Sequence, residues 1–130
     1  MDLVMINERS CAFCQKKDNL IIEKANVKVF FDKFPVTLGH TLIVPKRHIS
    51  NVFELNKVEE MEIIDTIFEV KKILDSLYTP EGYNIGTNCG EVAGQTIKHC
   101  HIHIIPRYKD DVENPVGGVR GVIPHKRNYL

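Results

Sequence analysis

The chain has 130 residues and a mass of 14.9 kDa, the size of one ordinary domain and too short for two. Its hydrophobic fraction of 43% and charged fraction of 26% are those of a soluble globular protein and exclude membrane and collagen-like classes. Lys plus Arg and Asp plus Glu both number 17, which argues against nucleic-acid binding by bulk charge. Any anionic ligand needs a local site instead.

The first residues, Met1 to Glu8, show neither the basic start nor the apolar core of a signal peptide. No run of 18 apolar residues follows. A cytoplasmic protein without a membrane partner is therefore expected, in a compartment where Cys11, Cys14, Cys89 and Cys100 stay reduced. The pair Cys11-Ala-Phe-Cys14 reads there as a metal knuckle or a redox motif rather than as part of a disulfide framework.

Two short strand-like runs follow, Leu20–Glu23 and Val27–Asp32. A turn-rich bridge with Pro35 and Gly39 leads to a third, His40–Pro45. Asn56 with Glu59 three residues on predicts a capping box opening a helix. Leu55, Val58, Met61, Ile64, Ile67, Phe68, Leu74 and Leu77 recur at spacings of three and four, an apolar stripe expected to pack on a sheet. The helix should end near Ser76–Tyr78, ahead of Pro80 and Gly82. Strands over Tyr83–Asn88 and His99–Ile105 come next, joined by a loop with Gly90 and Gly94.

Loops this short cannot carry parallel crossovers. The order predicts an α+β fold, an antiparallel sheet of about five strands with one long helix packed on it. The expected organisation is a single domain over 1–130, with a core at about 11–107 and an irregular tail over 108–130. Val116, Val119, Val122 and Ile123 in that tail suggest that it docks.

The sharpest feature is the run His99-Cys-His101-Ile-His103-Ile-Ile-Pro106. A side-chain period of two puts the three histidines on one face, with Cys100, Ile102 and Ile104 on the buried other. The outer two Cα atoms of such a strand lie about 13 Å apart. One metal ion then meets all three imidazoles only with strained geometry, so the row serves at least two purposes. Imidazole can be nucleophile, acid or ligand, and the row signals catalysis, metal binding or both. The preceding segment, Asn88 to Thr96, offers glycines, amides and hydroxyls beside the row, as an anion-binding turn does.

These residues resemble the histidine triad (HIT) family of nucleotide hydrolases and transferases. The resemblance rests on His99–Ile105, on Gly94-Gln95-Thr96 before it, and on Phe30-Phe-Asp32-Lys-Phe-Pro35 followed by Gly39-His40-Thr-Leu-Ile-Val-Pro45-Lys-Arg-His48. It spans roughly residues 11 to 107 and implies the HIT-like fold. It also implies that His101 attacks the α-phosphorus of a nucleotide, forming a nucleotidyl-histidine intermediate. Gln95, Thr96 and His103 would then meet the phosphate oxygens, and Asp32 the ribose hydroxyls. Asn88, Gly94 and His40 would lie around the nucleotide.

One branch of the family holds a structural zinc, and the matching positions here are Cys11, Cys14, His48 and His99, one Zn²⁺ per chain. Cys89 and Cys100 match no such role. Dinucleoside polyphosphates of the Ap4A or Ap3A type are the first substrate reading, with Arg107, Arg120, Lys126 and Arg127 on the distal phosphates. A phosphoramidate or aminoacyl-adenylate hydrolase, a nucleotidyltransferase, and a nucleotide-binding module with little turnover are the alternatives. Relatives are commonly homodimers, so the same is expected here.

Overall fold

The computed structural model describes residues 10–130; the run Met1–Glu8 discussed above lies outside them. Strands β1 (Ile22–Glu23), β2 (Val27–Phe31), β3 (Thr41–Pro45), β4 (Gly82–Gly86) and β5 (Ile102–Arg107) form one sheet in the order β1-β2-β3-β5-β4. Every pairing is antiparallel. A single helical turn, α1 (Ala12–Gln15), precedes the sheet, and the long helix α2 (Lys57–Tyr78) joins β3 to β4. The expected α+β architecture is the observed one. Among the described residues no helix is long and apolar enough to cross a membrane.

Strands β2 and β3 are buried on both faces except at Phe31, which is why they read as nearly continuous apolar runs. Val27, Val29, Ile43, Ile102 and Ile104 form one core with Ile63, Val70 and Leu74 of α2. On the opposite face Phe30, Leu42 and Val44 form a second core with Cys11 and Phe13. Lys28 is buried there too, and its ammonium donates to the Lys16 carbonyl at 2.8 Å.

The capping box that opens α2 is present: Asn56 Oδ1 accepts from the Glu59 N–H and Glu59 Oε1 from the Asn56 N–H, each at 2.9 Å. The face of α2 on the sheet differs from the expected stripe. Ile63, Thr66, Val70 and Leu74 are buried, whereas Val58, Met61, Ile64, Phe68 and Leu77 are exposed. Thr66 stands in the buried row because its hydroxyl bonds to the Glu62 carbonyl and accepts from Lys24. The helix therefore carries two apolar faces, and the expected stripe mixes them, with Leu74 buried and Leu55 and Ile67 packed on the core.

Strand β5 begins later than expected and runs to Arg107. His99 and His101 lie in the bend and irregular residues leading into it, anchored by the Cys100 N–H on the Ile49 carbonyl at 2.7 Å. The tail folds into short 3-10 turns at Gly118–Val122 and Pro124–Lys126. Val119 and Val122 remain 63% and 77% exposed, while Val112 and Val116 are half-buried, so the tail lies over the sheet with only part of its apolar surface covered.

Candidate active site and metal centre

The histidine row is divided by hydrogen bonds to partners whose polarity is fixed. A carbonyl can only accept, so His99 donates its Nε2–H to the Pro45 oxygen at 2.8 Å and keeps a lone pair on Nδ1. His101 does the reverse, donating Nδ1–H to the His99 carbonyl at 2.8 Å and keeping its lone pair on Nε2. The backbone N–H of Val36 can only donate, at 3.1 Å, to His40 Nδ1. The His40 proton therefore sits on Nε2, which is 2.9 Å from His103 Nδ1. His103 accepts there and presents Nε2–H outward. Three neighbouring imidazoles thus keep a lone pair on Nδ1, a lone pair on Nε2 and an Nε2–H in turn.

The first of these belongs to a cluster. Cys11, Cys14, His48 and His99 bring one ligand atom each within 4.8 Å of one another. Cys14 Sγ is 3.1 Å from His48 Nδ1, and His99 Nδ1 is 3.2 Å from His48 Nδ1 and 3.4 Å from each sulfur. A tetrahedron with Zn–N near 2.0 Å and Zn–S near 2.3 Å has edges of roughly 3.3–3.8 Å, so the four residues fit a zinc-sized ion. The Cys14 N–H points at Cys11 Sγ at 3.4 Å, the local bond that closes the knuckle into α1. Arg47, the residue before His48, grips the buried Glu59 with Nε and Nη2 at 3.1 and 2.9 Å.

His101 and His103 face each other with ring centroids 5.0 Å apart. Burial, and next the neighbouring His101 and His40, push His103 down to about 4, so it is a neutral donor at pH 7. Burial lowers His40 as well, against the pull of Asp32. Asp32 Oδ2 lies 3.4 Å from His40 Nε2, and its other oxygen accepts from the Phe34 N–H at 2.9 Å. Asp32, His40 and His103 also bring three metal-competent atoms together, but the His40 Nε2–H is already given to His103, with Asp32 Oδ2 at 3.4 Å from the same nitrogen. Gly39 sets His40 in place at φ +90°, where a Cβ would press on the Tyr78 ring.

The loop before the row differs from expectation at Gln95. Its amide donates to the carbonyls of Ser50 at 2.7 Å and Ile97 at 3.0 Å, while its oxygen accepts from the Gly90 N–H at 2.9 Å. Gln95 is buried, and it braces the loop instead of offering a side-chain donor to a phosphate. Gly94 provides the left-handed turn at φ +93° that this brace requires. Thr96 borders a cavity of about 660 Å³ beside Cys11, His48 and Ser50. Asn88 lies elsewhere, on a cleft of about 690 Å³ shared with His40 and His103.

The distal cations also differ from expectation. Arg107 is gripped by Asp111 through Nε and Nη2 at 2.8 and 2.7 Å, and its Nη1 donates to Asn84 at 2.6 Å. Arg120 donates to the carbonyls of Arg127 and Lys126 and lies over the Tyr129 ring. The structure adds Phe13, whose ring meets His101 edge-on at 5.1 Å and His99 at 5.9 Å. An aromatic between the two knuckle cysteines was its only signal in the sequence.

A family model described as "HIT domain" matches residues 14–110. The protein hit of Bacillus subtilis strain 168 is 36% identical over 104 residues, 76% of this chain and 72% of that one. An adenosine 5'-monophosphoramidase of Schizosaccharomyces pombe is 33% identical over 113 residues, covering 83% of this chain and 82% of its own. A bis(5'-nucleosyl)-tetraphosphatase from the same organism is 33% identical over 82 residues, 63% of this chain and 45% of its own. Among solved structures, a zinc-bound histidine triad family protein from Mycobacterium smegmatis superposes with a TM-score of 0.73 at 27% identity, covering 82% of this chain and 81% of that one.

Proposed function

The chain belongs to the HIT domain family, and from that premise we propose that it hydrolyses nucleotides at the α-phosphate through a nucleotidyl-histidine intermediate on His101. The observation that carries this reading is the hydrogen bond from His101 Nδ1–H to the His99 carbonyl, which leaves the Nε2 lone pair as nucleophile. As the Nε2–P bond forms, the bond from phosphorus to the leaving group breaks, and His103 Nε2–H donates to the departing atom. The charge that develops on the His101 ring is met by the same carbonyl. Water then attacks phosphorus, the N–P bond breaks, and a nucleoside monophosphate leaves.

Asp32 is the proposed acceptor for the ribose hydroxyls. Asn88, Gly94, Thr96 and His40 border the nucleotide in the same proposal, with Gln95 acting on the loop rather than on the phosphate. Zn²⁺ is the proposed ion of Cys11, Cys14, His48 and His99, which donor type and spacing support. It supplies a cross-link between three chain segments. The reduced thiols it requires suit a cytoplasmic setting. The outer face of α2 supports a homodimer, because Met61, Ile64 and Phe68 are 69%, 55% and 66% exposed.

Relatives named as a tetraphosphatase and as a phosphoramidase support two substrate types, dinucleoside polyphosphates of the Ap4A or Ap3A type and nucleoside phosphoramidates. His101→Ala should lower turnover by several orders of magnitude on any substrate while AMP binding survives. Acid quench of the wild type with labelled substrate should trap label on the protein. Retention of more than about a tenth of the rate, a barrier change under roughly 1.4 kcal/mol, would remove His101 as nucleophile.

A further inference from the structure

Lys28 is a buried charge that the proposed chemistry leaves unused. It is 6% exposed and sits within β2 opposite Val44. Alternation along the strand puts its side chain on the face of Phe30, in the core that Phe30 and Val44 share with Cys11 and Phe13. Its ammonium lies at the end of α1, donating to the Lys16 carbonyl two residues past Cys14.

A lysine is buried in such a place only with partners for its charge. Among the described residues no carboxylate pairs with it. Glu23, an acid whose charge reaches it, is taken by Lys46 at 2.9 Å. Burial pulls the ammonium below the ordinary lysine value, and Cys14 and then Cys11 pull it back up. The anions that Lys28 faces are therefore the two sulfurs of the metal cluster.

Metal binding to that cluster has a fixed charge count. Cys11 and Cys14 each give a thiol proton to solvent and bond as thiolates, while His48 and His99 bond as neutral imidazoles. A dication leaves the loaded ligands at zero charge, the same as two thiols and two imidazoles without it, so Lys28 gains little from the exchange. A monocation leaves them with one negative charge. The Lys28 ammonium then has the partner its burial lacks, away from water. Two thiolates and two imidazoles suit soft Cu⁺ as well as Zn²⁺, so charge and not ligand type separates the two ions here.

We propose that Lys28 is the fixed counter-charge of the Cys11, Cys14, His48 and His99 cluster, and that the cluster takes a monovalent soft cation, Cu⁺, in addition to Zn²⁺. The proposal rests on the reading of these four residues as a metal centre. Lys28 contributes no ligand atom and sets which ionic charge the centre prefers.

The test uses the full chain, reduced and without oxygen, and measures affinity for Cu⁺ and for Zn²⁺ by competition with a chromophoric chelator of each. The wild type should bind about one Cu⁺ per chain, and Cys11→Ser combined with Cys14→Ser should remove it. Lys28→Met should weaken Cu⁺ at least tenfold and change Zn²⁺ less than threefold. Lys28→Gln should do the same, because it keeps a donor for the Lys16 carbonyl and lacks the charge. Lys28→Arg should hold the wild-type ratio of the two affinities.

Equal loss of both ions in Lys28→Met, recovered in Lys28→Gln, would make Lys28 a pin for the knuckle and overturn the proposal. Cu⁺ that survives the double serine variant sits elsewhere and overturns it too. If Zn²⁺ binds and the ratio ignores every Lys28 variant, the counter-charge falls and the metal centre stands. A wild type that binds neither ion removes both.

Discussion

Two short irregular segments cover the open face of the sheet, one on each side of the histidines, and they are built on opposite principles. The N-terminal knuckle buries what it brings: Cys11 and Phe13 are 8% and 7% exposed, packed on Phe30, Leu42 and Val44. The C-terminal tail is fastened by polar bonds, Arg107 to Asp111 and Arg120 to its own backbone, and leaves Val119 and Val122 in solvent. Neither segment has helical or strand periodicity, so neither contributes much stability by itself. The knuckle brings its two sulfurs to donor atoms of His48 and His99, whereas the tail borders an open cleft. A packed wall stands beside His101 and a solvent-exposed one past His103.

The largest test removes the knuckle's fastening. Cys11→Ser with Cys14→Ser should abolish bound metal, which elemental analysis should find at about one zinc per chain in the wild type, and lower Tm by about 10 °C or more. A protein without metal and with unchanged Tm would rule out the cross-link. Phe13→Ala keeps all four ligands but deletes the ring, and urea unfolding should show a loss of about 3 kcal/mol with zinc retained. Phe13→Leu should restore most of it. Loss of metal together with the ring would mean that Phe13 assembles the ligands rather than packing behind them.

Acid should act on the middle of the face before it acts on the tail. His103 stands near 4 when folded against an ordinary value of 6.5, so the unfolded chain binds more protons between those limits. Stability from its neutral, buried state is complete above about pH 6.5 and is lost as pH falls toward 4. The Arg107–Asp111 clasp, with Asp111 near 2, should persist until pH falls below the ordinary aspartate range. Thermal melts from pH 8 to pH 4 should therefore decline with slopes that His103→Asn reduces, and Asp111→Asn should leave those slopes unaltered.

Asp111→Asn at pH 7 should loosen the tail alone. Amide exchange should quicken over residues 117–127 while Tm moves by no more than about 2 °C. The smallest effect belongs to Val119→Ser, expected within about 0.5 kcal/mol of the wild type in urea unfolding. A large loss there would show that the tail docks by burial after all.

Much of the fold was legible because the signals were local. The capping box at Asn56 and Glu59 depends on residues three apart, and β2 and β3 are apolar on both faces. The four ligands of the metal cluster came through resemblance, since nothing local in Cys11 and Cys14 announces His48 or His99. Errors arose where a side chain's partner lies far along the chain. Gln95 is a donor by type, but the carbonyl it meets belongs to Ser50, 45 residues away. The stripe on α2 held only in part, at Leu55, Ile67 and Leu74: Met61, Ile64 and Phe68 have helical spacing as good as that of Ile63 and Val70, and only the sheet chooses between them. Arg107 and Asp111 are four apart, yet the turn that pairs them follows a strand, where no periodic rule applies.

Glu59 has a consequence that reaches beyond the cap. Its carboxylate accepts at once from the Asn56 N–H, at the first turn of α2, and from Arg47, the residue before His48. The start of the helix and one corner of the metal cluster thus share a single buried anion, 2% exposed. If the cluster holds an ion, fraying of that turn would free Arg47 beside His48, and the two events should be linked. Hydrogen exchange at the Glu59 and Glu60 amides should then follow metal occupancy, slow in the loaded protein and fast after chelation, and so report from the surface of a helix on atoms across the sheet.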